Sequence, residues 1–144
     1  LADFVFWHKV KPAVNLIECN AFFQREEDRR YMESQNIQMQ AWSPLAAGQG
    51  RLFENETLRT LAAAHNKTVA QMVLRWLVQR NIVPLVKSAN PARMKENLDI
   101  FDFTLTDAEM QQIAALDTGH TAFTPRTTGS AVDAFLKAAL DYKV

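Results

Sequence analysis

The chain has 144 residues, of which 48% are hydrophobic and 22% are charged, a composition typical of one ordinary globular domain. Sixteen basic and sixteen acidic residues cancel, so the net charge gives no reason to expect a nucleic acid or an anionic membrane as partner. Cys19 is the single cysteine, which excludes an internal disulfide and a cysteine-based zinc cluster and favours a cytoplasmic location. No apolar run approaches the roughly 20 residues that span a bilayer.

The first ten residues follow a helical spacing of apolar side chains that includes Leu1, Phe4 and Val5. No Ser, Thr, Asp or Asn precedes them as an N-cap, and there is no initiator methionine. The pattern predicts a helix that continues from residues before Leu1. A frayed terminal helix over 1–10 is the alternative.

Three apolar runs of strand length follow in the order 13–19, 37–42 and 82–86. The third run is almost continuously apolar, which predicts a strand covered on both faces. Pro84 lies inside it and donates no ladder hydrogen bond, so the run must lie at an edge, at a bulge or in a displaced register.

Helices are predicted between and after these runs, and several have a recognisable start. Asn55 and Asn90 are suitable N-caps, and Thr68-Val69-Ala70-Gln71 and Thr106-Asp107-Ala108-Glu109 have the pattern of capping boxes. Asn36 is a suitable left-handed stop for the charged helix over 25–35. Further helices are predicted over 91–98 and 131–140, and loops over 43–50 and 118–130.

Strands that alternate with helices in this way predict a parallel sheet with helical crossovers. A sheet of only three parallel strands would leave both edges unpaired and much apolar surface uncovered. A (β/α)₈ TIM barrel has eight strands in about 250 residues. The predicted fold class is therefore α/β: the chain covers roughly the last half of one such barrel, with barrel elements over 1–117 and a C-terminal loop and helix over 118–144.

The strongest candidate site lies where the third strand ends and the next helix begins. Asn90 and Pro91 favour the N-cap and first position of that helix, so its free N–H groups should face an anion. Lys87 adds a positive charge, Ser88 a hydroxyl and Arg93 a guanidinium suited to phosphate oxygens. A well-capped helix with a solvated basic turn is the alternative.

Polar side chains continue along the same helix. Asn90, Arg93 and Asn97 share one face at spacings of three and four residues, and Glu96 lies beside that face. These groups are placed to follow a bound phosphate toward a base.

Several of these segments together resemble the aldo-keto reductase family. Lys87-Ser88, Arg93, Glu96-Asn97 and Ile100-Phe101-Asp102-Phe103 resemble its C-terminal signature, while Lys11-Pro12-Ala13-Val14-Asn15 and Ala41-Trp42-Ser43-Pro44-Leu45 resemble its two preceding strands. The matches run in family order from about residue 1 to residue 119. Trp42 and the loop after it resemble the bacterial 2,5-diketogluconate reductase-like branch more than the mammalian aldose reductases.

The resemblance implies a site for NADPH. Lys87, Ser88 and Arg93 would hold the 2′-phosphate with help from Asn90. The resemblance also implies roles for five further residues. Glu96 and Asn97 would hydrogen-bond the adenine, and Trp42 would stack on the nicotinamide. Ser43 and Leu45 would line the pyrophosphate path. A core tryptophan is the alternative for Trp42.

Two departures from the family pattern are visible. Leu16 stands where the family has a glutamine that hydrogen-bonds the nicotinamide carboxamide, and leucine can neither donate nor accept. The family's catalytic Asp, Tyr, Lys and His come from the first half of the barrel, and none of them is in this chain. No catalytic role is assigned to the tyrosines and histidines that are present, namely Tyr31, Tyr142, His8, His65 and His120.

Other candidate groups have structural interpretations. Cys19 lacks a recognisable His or Asp partner and is interpreted as a small buried hydrophobe rather than a nucleophile. The carboxylates Glu26, Glu27 and Asp28 occupy a helix first turn, where negative charge is favourable. Nothing in the sequence supports a metal site.

The resemblance implies that the parent barrel is an oxidoreductase that reduces an aldehyde or ketone to an alcohol with NADPH. This chain would supply the cofactor-binding part and be inactive alone. Its partners would be a small-molecule carbonyl substrate and either the N-terminal half of the barrel or a second copy paired through the open sheet edges. The alternative is a non-catalytic half-barrel that binds nucleotide or self-associates. The substrate stays open among sugars, keto acids and simple aldehydes.

Overall fold

The computed structural model describes residues 1–121, 123 and 128–140, without the side chain of residue 139. The strands are β1 Val14–Glu18, β2 Gln38–Trp42 and β3 Val83–Pro84. The α-helices are α1 Ala2–Trp7, α2 Glu26–Ser34, α3 Glu56–Ala64, α4 Val69–Gln79, α5 Pro91–Leu98, α6 Asp107–Ala114 and α7 Gly129–Leu140. Two short 3₁₀ turns, Ala46–Gly48 and Leu52–Glu54, lie in the segment predicted to be a loop and just after it.

The three strands form one parallel sheet in the order β1-β2-β3, as the alternation of strands and helices predicts. Leu16 lies beside Gln40, and Gln40 in turn lies beside Val83. Helices α2 and then α3 and α4 connect successive strands, so each crossover is helical.

The two faces of the sheet differ in exposure. Met39 and Ala41 of β2 are buried under the helices, where they join a core that includes Met72, Trp76 and Leu77 of α4. The alternate residues form the opposite face, which we call the open face and on which only Glu18 is buried among the described strand residues: Val14, Leu16, Glu18, Gln38, Gln40, Trp42 and Val83. Of these, Val14, Leu16 and Val83 are 42%, 47% and 41% exposed. In the described structure, helices therefore cover the sheet on one side only.

The predicted helix starts and stops are confirmed. Thr68 and Thr106 each accept a hydrogen bond from the backbone N–H three residues on, and each is closed by the reciprocal bond of a capping box. Asn55 accepts from Leu58 N–H at 3.1 Å. Asn36 has φ 56°, the left-handed conformation expected at the end of α2.

The third strand differs from its prediction, because only Val83 and Pro84 pair with β2. In the described sheet it is an edge strand. The Leu85 N–H donates to Ala41 O at 2.9 Å, so the nitrogen of the preceding Pro84 faces away from β2. Since that nitrogen has no hydrogen, proline is tolerated there. Val83, Leu85 and Val86 are each at least 38% exposed, so the expectation of two covered faces is wrong for this structure.

Among the described residues, no helix combines the length and apolar character needed to cross a bilayer. The same residues contain no group of three His, Cys, Asp or Glu side chains placed to hold a metal ion.

Glu26 links α2 to the end of α4. Its carboxylate accepts hydrogen bonds from Arg29 at 2.8 Å, from Arg80 at 2.7 Å and from Arg30 at 2.9 Å. These bonds, chiefly that from Arg29, outweigh burial and lower the pKa of Glu26 from 4.5 to about 2. Folding thus favours the charged carboxylate of Glu26. Its contribution to the stability of the fold is fully present above the pKa of the unfolded chain, and it is lost as the pH falls through the lower pKa of the folded chain.

Replacing Glu26 with glutamine should lower the free energy of unfolding at pH 7 by about 1 kcal/mol, a figure reduced for the partial exposure of the carboxylate. Urea unfolding of both proteins between about pH 7 and pH 3 checks this, and the difference should shrink below about pH 4.5. Glu27→Gln is the control, because Glu27 has no ion-pair partner among the described side chains. A difference that does not vary with pH would contradict the account.

Candidate functional site

A cavity of about 780 Å³ lies between the loop after β2, the start of α4, the segment after β3 and α5. This volume is in the range of small-molecule sites. Seven of the nine residues predicted for the cofactor line it: Ser43, Leu45, Lys87, Ser88, Arg93, Glu96 and Asn97. Trp42 and Asn90 are not in its lining. The fold thus brings two sequence-distant segments, 43–45 and 87–97, to one cavity.

The cavity has two positive side chains, those of Lys87 and Arg93. Both are exposed, and neither has an ion-pair or hydrogen-bond partner for its side chain within the described part of the chain. By contrast, Arg29 and Arg80 each form an ion pair with Glu26. The cavity lining has two positive side chains and one carboxylate, that of Glu96, so its net charge is positive, which favours an anionic ligand.

The start of α5 differs from the expectation of free N–H groups. The Asn90 Oδ1 accepts from the N–H of Ala92 at 2.9 Å and of Arg93 at 3.4 Å, and Met94 N–H donates to Asn90 O at 3.0 Å. Pro91 has no N–H. Asn90 therefore satisfies the donors that it was expected to leave exposed, and an anion would rely on side chains.

The two serine hydroxyls of the site differ in their hydrogen bonding. Ser88 Oγ accepts from Asn90 N–H at 3.1 Å and so fixes the turn into α5. The Oγ of Ser43 is buried and has no hydrogen-bond partner among the described residues. Ser43 also has φ 50°, a left-handed conformation that is uncommon outside glycine and aspartate-like residues. A buried hydroxyl without a partner at a cavity is suited to a polar ligand atom.

Polar contacts attach α5 to the start of α4. The Thr68 hydroxyl donates to Glu96 Oε1 at 2.7 Å, and Gln71 Nε2 donates to Asp99 O at 2.8 Å and Glu96 O at 3.2 Å. Lys67 Nζ bridges Asp99 and Asp102 at 2.9 Å each. Its hydrogen bond lowers the pKa of Asp102. Glu96 is therefore held in place, while no partner for the Asn97 side chain lies among the described residues.

Trp42 lies at the end of β2 and is 37% exposed, so it is not a core tryptophan. The Phe123 ring is 5.1 Å from the Trp42 ring, centroid to centroid, at 45°. Two residues earlier, the Thr121 hydroxyl donates to Glu18 Oε2 at 2.5 Å. The segment after α6 thus contacts the ends of β1 and β2, which the sequence patterns did not indicate.

The described histidine, tyrosine and cysteine side chains to which the sequence analysis gave no role in the site lie outside the cavity lining. His65 pairs with Glu109 at 2.7 Å, and His8 lies against Phe4, whereas Tyr142 is outside the described residues. Cys19 is fully buried, and burial raises the pKa of its thiol to about 11. Its interpretation as a small buried hydrophobe is confirmed.

Several apolar lining residues were not predicted as site residues, among them Phe53, Ala70 and Val86. Phe53 belongs to a 3₁₀ turn and Ala70 to the first turn of α4. No local motif marks either residue, because only the folded position of these turns brings them to the cavity.

The sequence profile described as "Aldo/keto reductase family" matches residues 7–118. Aldose reductase B of Dictyostelium discoideum is 40% identical over 125 residues, which are 87% of this chain and 40% of that protein. The chain therefore spans about 40% of the length of this curated relative.

Solved structures of aldo-keto reductases are also similar to this chain. An aldo-keto reductase from a Medee basin deep-sea metagenome library matches with a TM-score of 0.84 and 36% identity, over 89% of this chain and 47% of that one. A Bombyx mori aldo-keto reductase in complex with NADP matches with a TM-score of 0.79 and 30% identity, over 85% and 43%. The predicted fold class is confirmed: the three parallel strands are part of a (β/α)₈ barrel. The bacterial branch stays a prediction.

Proposed function

Because the chain belongs to the aldo/keto reductase family, we propose that it forms the NADPH-binding part of an enzyme that reduces an aldehyde or ketone to an alcohol. The observation that carries the proposal is the cavity in which Lys87 and Arg93, without anionic partners in the described structure, lie near the unpartnered Ser43 hydroxyl. The similar Bombyx mori structure, which holds NADP, supports this choice of ligand.

Lys87 and Arg93 are assigned to the 2′-phosphate of NADPH. Their side chains supply a point charge and a planar guanidinium, which suit phosphate oxygens. Ser88 and Asn90 act mainly by holding the turn between β3 and α5, because their oxygens accept backbone N–H bonds of that turn. Asn90 therefore assists by positioning Arg93 rather than by freeing N–H groups.

Glu96 and Asn97 are assigned to the adenine. Thr68 holds one carboxylate oxygen of Glu96, so that side chain keeps a fixed direction. The Asn97 carboxamide offers both a donor and an acceptor to a base edge. Both residues line the cavity beside Arg93, about one turn further along α5.

Ser43 and Leu45 are assigned to the pyrophosphate path and Trp42 to the nicotinamide. Ser43 supplies a hydroxyl donor that has no other described partner. The exposed part of the Trp42 indole supplies a flat apolar surface, of which Phe123 contacts one portion. When bound, NADPH supplies the hydride for carbonyl reduction, while these residues hold and orient it.

The open edge of β3 supports a further barrel portion as partner. Met94, Leu98 and Phe101 beside that edge are 52%, 72% and 67% exposed. A hydrophobic surface of this kind is normally covered. We assign residues 1–117 to the barrel and 118–144 to its C-terminal loop and helix, and place the protein in the cytoplasm, where the free Cys19 thiol is favoured.

Replacing Arg93 with alanine should weaken NADPH binding about 10- to 100-fold and NADH binding much less, because a charge-assisted contact to the 2′-phosphate is lost. Calorimetric titration of both nucleotides checks this. Lys95→Ala is the matched control, since it removes a positive charge from the same helix but lies outside the cavity lining. Equal losses for NADPH and NADH would refute the assignment.

The 144-residue chain should not oxidise NADPH in the presence of a simple aldehyde, because the family's proton-donating tyrosine and its neighbours lie outside it. The absorbance of NADPH is followed with the purified chain, and a complete family member serves as the positive control. Aldehyde-dependent turnover by the chain would overturn this expectation.

The purified chain should bind an apolar fluorescent dye as a monomer, because Met94, Leu98 and Phe101 beside the edge of β3 are exposed. Dye fluorescence measures the binding, and sedimentation velocity measures the association state. A monomer without dye binding would contradict the proposal that a further barrel portion covers these surfaces. A discrete dimer would instead favour the half-barrel that pairs with itself.

A further inference from the structure

Gln40 lies at the middle of the open face. Gln38 and Gln40 both belong to β2 and both project on that face. The Gln38 carboxamide is engaged, because its Nε2 donates to Asn81 O at 2.7 Å. No described residue provides a hydrogen-bond partner for the Gln40 carboxamide. Gln40 is half-buried, so this amide keeps a donor and an acceptor without protein partners.

The neighbours of Gln40 on the open face are apolar. The register places Leu16 on one side of it and Val83 on the other. Neither side chain can form a hydrogen bond, and both are more than 40% exposed. Gln40 is therefore the single polar side chain in this row of three, and it is the only side chain of the row that can form hydrogen bonds to the amide of a ligand.

Gln40 also lies two residues before Trp42 on the same side of β2. That spacing corresponds to about 7 Å along a strand, a distance that a glutamine side chain and a ring substituent can close between them. A ring stacked on the Trp42 indole thus brings its substituent toward the Gln40 carboxamide.

We propose that Gln40 is a cofactor-positioning residue, whose carboxamide hydrogen-bonds the carboxamide of the nicotinamide ring. The proposal rests on the proposed function, since it requires that NADPH binds at Trp42. An amide pairs with an amide through one donor and one acceptor on each side, which fixes which edge of the ring faces the sheet. Gln40 would supply from β2 the contact that Leu16 of β1 cannot supply.

The test compares two ligands on the purified chain by calorimetry: NADPH and adenosine 2′,5′-bisphosphate, which has the adenine and the 2′-phosphate but no nicotinamide. Gln40→Leu should weaken NADPH binding about tenfold and leave the bisphosphate unchanged, because only the amide pair is lost. Adding Leu16→Gln to Gln40→Leu should restore NADPH binding, since this carboxamide lies on the adjacent strand at the same level.

Several results would overturn the proposal. Unchanged NADPH binding by Gln40→Leu, or an equal loss for both ligands, would show that Gln40 does not contact the nicotinamide. If the unaltered chain binds the bisphosphate as tightly as NADPH, the phosphate site stands but the nicotinamide contact does not. If the unaltered chain binds neither ligand, the proposed function itself fails. The last two outcomes thus distinguish failure of the nicotinamide contact from failure of NADPH binding as a whole.

Discussion

The buried carboxamide of Gln71 fixes the position of α5. The helix contributes no buried side chain of its own, so apolar packing holds it only through the residues that follow it, such as Ile100. Gln71 donates to the carbonyls of Glu96 and Asp99, the last of which ends the helix. Breaking a buried hydrogen-bonded network of this kind costs more than its individual bonds contribute in net stability. The cavity therefore keeps its shape because α5 is attached to the capped and buried start of α4.

This arrangement explains why a helix with exposed charges can still present them in a defined place. Arg93 lies on a segment fixed at both ends, by Asn90 and Ser88 at the start and by Gln71 at the end, and Lys87 directly precedes this segment. Their charges are not neutralised by neighbouring carboxylates, because Glu96 is turned toward Thr68. The cavity thus combines a rigid backbone with unpaired cations, a combination that reduces the ordering cost of binding an anion.

Local signals in the sequence were sufficient for most elements and insufficient for contacts between them. Capping boxes at Thr68 and Thr106 act within four residues, so the sequence predicts those helix starts directly. The length of β3 depends on its edge position and on the direction in which the Pro84 nitrogen faces, which are properties of the sheet. Likewise, Asn90 was expected to leave N–H groups free, but the choice between capping and ligand binding depends on side-chain rotamers. The contact of Phe123 with Trp42 joins segments 81 positions apart and has no local signature.

Parallel pairing also determines how a site can tolerate a substitution. Adjacent strands lie about 4.8 Å apart, and side chains at paired positions project side by side from the same face. A carboxamide on β2 at Gln40 can therefore reach nearly the same point as one on β1 at position 16, whereas a shift of one residue along either strand would turn the side chain into the core. In the proposed placement of the nicotinamide, Leu16 would be an apolar neighbour of the ring, and the register of β1 and β2 would decide which strand orients it.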